Sequence, residues 1–165
     1  MPQQLYCLIK NYSAMSNCSV DRFEQIVDVG ERFQLEVSGR SMLPFLGYDG
    51  DKIVVRRIAD DEDVRGRIVL CRVGDKHYVV HRVISNDGGM ITMRGDGRLI
   101  CDKPMSRKCA IGIVEGVVRK NGKLKSCGTH YWRFCERLWL WQPMVVRRCL
   151  LGVLRRCMDI GNKNK

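Results

Sequence analysis

Short apolar runs in which alternate residues are polar constrain the fold of this chain most, because a two-residue period is that of a half-buried β-strand. The first run has apolar side chains at Phe33, Leu35 and Val37. Similar runs follow at residues 52–58, 67–73, 77–84, 90–94 and 111–118. Turn-forming pairs punctuate the later runs, and they are Gly74-Asp75, Asp87-Gly88, Gly95-Asp96 and Asn121-Gly122. The sequence therefore predicts a mainly β fold built on an antiparallel sheet.

Helical patterns flank this region. Ser19 is a favourable N-cap for a short helix that ends at Gly30. Near the C-terminal end the apolar spacing becomes helical, and Pro143 divides that segment into two helices. Paired arginines alternate with aliphatic residues after the proline, so we expect the second helix to be basic and amphipathic. The chain is accordingly predicted to consist of a β domain at residues 1–126 and a helical appendage at residues 127–165.

Length and charge restrict the class of protein. With 165 residues, the chain has room for one domain with a substantial core plus an appendage. The 29 basic residues outnumber the 18 acidic ones and give a net charge of +11, so the surface should attract phosphates, anionic lipid headgroups or acidic peptides. No familiar nucleic-acid-binding motif occurs, and we do not expect nucleic acid as a partner.

Two sequence features bear on location. The first ten residues lack the basic start, long apolar core and cleavage site of a secretory signal. No run of about 18 uncharged apolar residues occurs, so no transmembrane helix is predicted. We therefore expect a cytoplasmic protein. Its basic helix, with Trp139 and Trp141, either lies on an anionic membrane surface or packs on the β domain with its arginines in solvent.

The nine cysteines are scattered along the chain, with no Cys-x-x-Cys pair and no histidine at metal-ligand spacing. An odd, scattered set in a chain without an export signal is typical of reduced thiols in the cytosol. We therefore expect no disulfide framework and no zinc site.

Two residues are candidates for hydrolytic chemistry. Ser41 lies in the segment Gly-Arg-Ser-Met-Leu-Pro at residues 39–44. A serine on a tight turn after a glycine exposes its hydroxyl and leaves nearby N–H groups to hold an oxyanion. His81 lies in the run Val-Val-His-Arg-Val-Ile and is a candidate base, since histidine ionises closest to neutral pH. Alternatively, Ser41 caps the turn that follows it and His81 is a structural residue of the strand.

Four ordered motifs together resemble the signal peptidase and SOS-repressor superfamily of serine peptidases. They are the Ser-Met-x-Pro segment, the Gly-Asp pair that closes its turn, the His-Arg-Val strand, and a second Gly-Asp pair followed six residues later by another Asp. The resemblance covers residues 34–118. Most bacterial signal peptidases have a lysine where this chain has His81, which makes the chain similar to the histidine-type signal peptidases of the endoplasmic reticulum and archaea. It implies a signal-peptidase-like antiparallel β catalytic domain that uses neither a metal nor another cofactor.

The resemblance also implies roles for further residues. Asp96 and Asp102 both fit the position of the carboxylate that orients the base. We favour Asp102 for that role and expect Asp96 to shape its turn through its side chain. Asp51 is expected to bond the turn that holds the serine. Met42 and Pro44 either line a small apolar pocket for the substrate or belong to the core.

The leading functional hypothesis is a serine endopeptidase that cleaves a leader, signal or propeptide segment. The substrate would bind as an extended strand, with small residues beside the cut. A self-cleaving regulator of the SOS-repressor type is the first alternative, although only some forty residues precede Ser41, too few for a usual DNA-binding domain. A non-catalytic membrane-binding or protein-binding adaptor that keeps the fold is the second alternative, and it would have no need of both Ser41 and His81.

Overall fold

The computed structural model of this chain describes residues 9–10, 32–47, 50–74 and 77–163. The chain divides into two compact units, Met1–Cys127 and Gly128–Lys165. The short helix expected between Ser19 and Gly30 lies outside the described residues.

The first unit is an antiparallel β-sheet. Its strands in the described part of the chain are β1 (Ile9–Lys10), β2 (Arg32–Val37), β3 (Lys52–Arg57), β4 (Ile68–Arg72), β5 (Tyr78–Asp87), β6 (Met90–Arg94), β7 (Met105–Ser106), β8 (Ala110–Val118) and β9 (Leu124–Ser126). All the runs expected to be strands do form strands, with ends that differ by three residues at most. The predicted mainly β, antiparallel fold class is confirmed.

The order of strands in the sheet is β1-β2-β3-β8-β4-β5-β6-β7, with β9 paired to β8. β8 lies between β3 and β4 and is antiparallel to both. β4 is buried from Ile68 to Cys71, on both of its faces, which explains its unbroken apolar run. β5 extends three residues beyond its apolar run, because residues 85–87 pair with β6 in a hairpin closed by two glycines with positive φ.

The second unit contains two helices, α1 (His130–Trp141) and α2 (Met144–Lys163). The Thr129 hydroxyl caps α1 by accepting a hydrogen bond of 3.2 Å from the N–H of Trp132. Pro143 separates the helices, as the sequence predicted. Neither of these helices, nor any other in the described ranges, is both long enough and apolar enough to span a bilayer.

Candidate active site

The loop between β2 and β3 carries Ser41. Gly39 and Gly47 stand near its two ends, with φ angles of 98° and 101° that favour glycine. A Cβ atom on Gly47 would lie 2.3 Å from the carbonyl oxygen of Gly39, so the two ends approach too closely for any other residue. We call residues 39–47 the serine loop.

The serine loop is packed into the core. Met42, Leu43 and Leu46 are completely buried, whereas Pro44 is partly exposed. The Sδ atom of Met42 also accepts a hydrogen bond of 3.4 Å from the N–H of Asp96. Of the two residues considered for a substrate pocket, Met42 is therefore a core residue beneath the site, and Pro44 has accessible surface.

Asp51 secures the serine loop from the side of β3. Its carboxylate is buried and accepts a hydrogen bond of 2.6 Å from the guanidinium of Arg119. The same guanidinium donates to the carbonyl oxygen of Phe45 at 2.9 Å. Asp51 thus holds the loop through Arg119, a residue whose involvement the sequence motifs did not indicate.

The turn after β6, Gly95-Asp96-Gly97, lies directly against the main chain of Ser41, and we call it the glycine turn. The N–H of Gly97 donates to the carbonyl oxygen of Ser41 at 2.8 Å. A Cβ on Gly95 would lie 2.3 Å from that same oxygen and 3.2 Å from Nε2 of His81. A Cβ on Gly97 would lie 2.7 Å from the carbonyl oxygen of Arg40. Both glycines are therefore required by a close approach between two backbones.

His81 lies on β5 opposite Val69 of β4 and is completely buried. Its Nδ1 is 2.5 Å from Oδ2 of Asp102. Its Nε2 faces the serine loop, because a Cβ atom placed on Gly95 would lie 3.2 Å from Nε2 and 2.3 Å from the carbonyl oxygen of Ser41. Nε2 of His81 and Oγ of Ser41 are both buried, and neither has a hydrogen-bond partner among the described residues. Unpaired buried polar atoms are rare in proteins, so these two make the surroundings of Gly95 the candidate site.

Asp102 is held in place from two sides. Its N–H donates to the carbonyl oxygen of Met93 at 2.8 Å, which fixes its backbone beside β6. Its second carboxylate oxygen, Oδ1, accepts 2.8 Å from Arg98. The carboxylate therefore bridges His81 and a cation, and the Arg-to-Asp spacing of four residues is the one sequence signal that could have revealed Arg98.

Asp96 has a different partner. Its carboxylate accepts hydrogen bonds from Arg82, at 2.9 and 3.3 Å from Nε and at 2.7 Å from Nη2. Both side chains of this ion pair are 2 % exposed. Arg82 also donates to the carbonyl oxygen of Gly66 at 2.8 Å, and its Cζ lies 5.7 Å from the ring centre of Phe45. Asp96 thus joins the glycine turn to the serine loop through Arg82, a buried charged residue of β5.

The first unit also has an open cavity of about 660 Å³ that is separate from these residues. The charged residues of its lining are mostly basic, namely Arg57, Arg72, Arg107 and Lys108 against the acid Asp60. None of the residues discussed as candidates for catalysis contributes to it. We therefore base the candidate active site on the geometry around Ser41 and not on the cavity.

An antiparallel β domain whose serine loop meets a histidine strand and a Gly-Asp turn defines a protein of the superfamily that includes the SOS repressors and the signal peptidases. Within it, the Peptidase S24-like family model matches residues 12–111, more than half of the chain and all four candidate residues. The chain belongs to the Peptidase S24-like family. No curated protein and no solved structure matches the chain significantly.

Proposed function

We propose that this protein is a serine endopeptidase that cleaves a leader, signal or propeptide segment. Ser41 would be the nucleophile, His81 the base and Asp102 the residue that orients the base. The observation that carries the proposal is the position of the buried imidazole. It is bonded to Asp102 on one side and has its unpaired nitrogen against the serine loop on the other.

The contact between His81 and Asp102 determines which imidazole nitrogen acts. The carboxylate accepts a hydrogen bond from the N–H of Nδ1, so Nε2 carries the lone pair and can take the proton of Ser41 as its Oγ attacks a peptide carbonyl. The imidazolium then gives this proton to the leaving amine, and water completes hydrolysis of the acyl-enzyme by the same route. Oγ and Nε2 form no hydrogen bond in the free protein, and such catalytic contacts commonly tighten only when substrate binds.

The burial of the site supports a restricted substrate. Ser41 is only 4 % exposed. A scissile bond can reach its Oγ as part of an extended segment with small side chains beside the cut, because bulky ones would contact the serine loop first. Exposed surface on Pro44 would contact the residues just before the cut. Because the proposed base is a histidine and not a lysine, we expect the chain to resemble the histidine-type signal peptidases more than the lysine-type ones.

Cleavage of the chain itself is a second candidate function, and the same burial favours it. A nucleophile with little exposed surface is reached most easily by a segment already attached to the protein, because tethering replaces an encounter in solution. The Peptidase S24-like family is associated with both serine peptidases and self-cleaving regulators. A non-catalytic adaptor is disfavoured by the two unpaired polar atoms, which have no evident structural use.

The proposal is tested by incubating the full-length protein with synthetic peptides that carry Ala, Gly or Ser at successive positions, and mapping cleavage by mass spectrometry. Ser41→Ala and His81→Ala should each abolish cleavage, and the double variant should be no slower than either, because both remove the same step. His77→Ala, which replaces an exposed histidine near the same strand, should keep full activity. Activity that survives in Ser41→Ala would refute the nucleophile.

The orienting carboxylate has its own test. Asp102→Asn should lower kcat by about 10²- to 10⁴-fold, because the amide can donate to Nδ1 and stabilise the tautomer that lacks a lone pair on Nε2. The variant should keep its circular dichroism spectrum. Wild-type activity in Asp102→Asn would remove this residue from the mechanism and leave the serine and histidine untouched.

Self-cleavage is distinguished by its dependence on concentration. The first-order rate constant of an intramolecular reaction is unchanged when the protein is diluted, whereas cleavage between chains slows in proportion. A tagged Ser41→Ala chain added as substrate should remain intact beside active protein if cleavage is intramolecular only. Its cleavage at the same bond would instead establish an endopeptidase acting on separate chains.

A further inference from the structure

The helical unit exposes apolar side chains along one side of α1. Trp132 and Trp139 are buried on one side of this helix. Phe134, Leu138 and Trp141 recur at spacings of four and three residues on the opposite side, and all three are exposed, Trp141 to 81 %. Aromatic and aliphatic residues at such spacing form a continuous apolar face. We call it the α1 face.

A second apolar face runs along α2. Arg147 and Leu151 are buried on one side of this helix. A separate row at spacings of four and three residues is exposed, with Val153 at 61 %, and it consists of Val146, Leu150, Val153, Cys157 and Ile160. This α2 face extends over most of the twenty residues of the helix. Within the described part of the chain, nothing covers either face.

The same unit is strongly cationic. Residues 128–165 contain eight basic and two acidic residues, so this small part of the chain carries more than half of the net charge of +11. Arg137, Arg148 and Arg156 are exposed on turns next to the apolar residues. Apolar faces bordered by arginines, with tryptophan at a helix end, match the chemistry of an anionic lipid surface, where aromatic rings lie at headgroup level.

We propose that the α1 and α2 faces bind the surface of an anionic bilayer, with the helices lying on it. Insertion across the bilayer would place arginines in hydrocarbon, and no described helix is apolar enough to span. Lying flat buries the apolar rows and leaves the guanidinium groups among the headgroups. The inference is independent of the proposed peptidase activity, since it uses no residue of the candidate active site.

Flotation of the full-length protein with vesicles tests the lipid surface directly. The protein should float with vesicles containing phosphatidylglycerol, remain behind with pure phosphatidylcholine, and be released by 1 M NaCl. Each arginine near an anionic surface contributes about fivefold to the partition coefficient, or about 1 kcal/mol. The triple variant Arg137→Gln, Arg148→Gln, Arg156→Gln should therefore bind about 100-fold more weakly. Its matched control removes three exposed lysines of the β unit, Lys120→Gln, Lys123→Gln, Lys125→Gln, and should bind as wild type.

The apolar contribution has a matched pair of its own. Trp141→Gln with Val153→Gln removes one residue from each face and should abolish flotation. Ile100→Gln with Leu124→Gln removes two comparably exposed apolar residues from the β unit and should leave flotation unchanged. Circular dichroism checks that all four proteins remain folded.

Native cysteines report the orientation without any substitution. Cys149 and Cys157 are exposed on α2, and Cys101 is exposed in the β unit. Vesicles should slow the reaction of a charged maleimide with Cys157, which lies within the α2 face, while Cys101 reacts at its original rate. Peptide mapping by mass spectrometry separates the sites.

Several results would overturn the proposal. Equal flotation with neutral and anionic vesicles, or no loss in the arginine variant, would remove the electrostatic basis. Release only by detergent would show insertion and not surface binding. A dimer that becomes monomeric in the Trp141→Gln, Val153→Gln variant would assign the faces to a second copy of the chain.

Discussion

Gly95→Ala should inactivate the site although it replaces none of the proposed catalytic residues. The added Cβ would lie 2.3 Å from the carbonyl oxygen of Ser41, where an ordinary contact is 3.4 Å or more. The neighbour is backbone, held by its hydrogen bond from Gly97, so it cannot rotate away. Either the serine loop or the glycine turn must therefore move by about 1 Å, and a misplacement of this size costs about 100-fold in rate.

The same methyl group also overpacks the site, which should lower the free energy of unfolding by about 1 to 3 kcal/mol. For a chain of this size each kcal/mol corresponds to about 2 to 4 °C in melting temperature. The protein should therefore remain folded at 25 °C while its kcat/KM for a cleaved peptide falls. Thermal unfolding and peptide cleavage, measured on the same preparation, separate the two effects.

Gly116→Ala is the matched control. There the nearest atom to the new Cβ is the Cδ1 tip of the exposed Leu124, at 3.0 Å, which can rotate aside. This variant should cleave at the wild-type rate. If folded Gly95→Ala retains activity within threefold of wild type, the close approach of Gly95 to Ser41 and His81 is not what positions the nucleophile, and the reasoning fails.

Three further predictions concern stability and reactivity. Asp96→Asn leaves the buried guanidinium of Arg82 without its counter-charge and should lower the free energy of unfolding by about 3 kcal/mol in chemical denaturation; an unchanged midpoint would contradict this. Burial opposes ionisation of Glu115, but arginine hydrogen bonds outweigh it and lower its pKa, so its contribution of about 1 kcal/mol should be present above the ordinary pKa of a glutamate. Relative to Glu115→Gln this advantage should disappear as the pH falls through the lowered pKa, and a constant difference down to pH 2 would refute it. Burial raises the pKa of the Cys71 thiol well above its usual range, so iodoacetamide should modify it far more slowly than the exposed Cys101 in the native protein and equally in denaturant.

Local pattern was sufficient for the longer elements of the fold, because their strand-like runs and helical spacings depend on neighbours in sequence. The short strands β1, β7 and β9 were not predicted, since two or three residues are too few to show a pattern. The place of β8 between β3 and β4 depends on pairing between distant segments, and no local pattern encodes it. The helix expected near Ser19 stays a prediction, because it lies outside the described residues.

Part of the candidate site could also be predicted from local sequence motifs. Ser41 and His81 stand in recognisable motifs, and the structure brings the carbonyl oxygen of Ser41 and Nε2 of His81 close to Gly95. Arg82 could not be assigned from sequence, because an arginine gives no local sign of which distant carboxylate it will meet, and for Arg98 the only sign is its spacing of four residues from Asp102. Their partners are set by how the turn after β6 folds back on β5, which is a property of the assembled sheet.

The central position of β8 affects when the sheet can assemble during synthesis of the chain. The serine loop belongs to the half of the sheet that contains β2 and β3, and His81 to the half that contains β4 to β6. The strand that joins the halves, Ala110–Val118, is synthesised after every residue of the candidate site. Until β8 emerges, the strands that carry the proposed nucleophile and base belong to two groups with no strand pairing between them. If the proposed function holds, the site can be complete only after β8 has been synthesised and has paired with both β3 and β4.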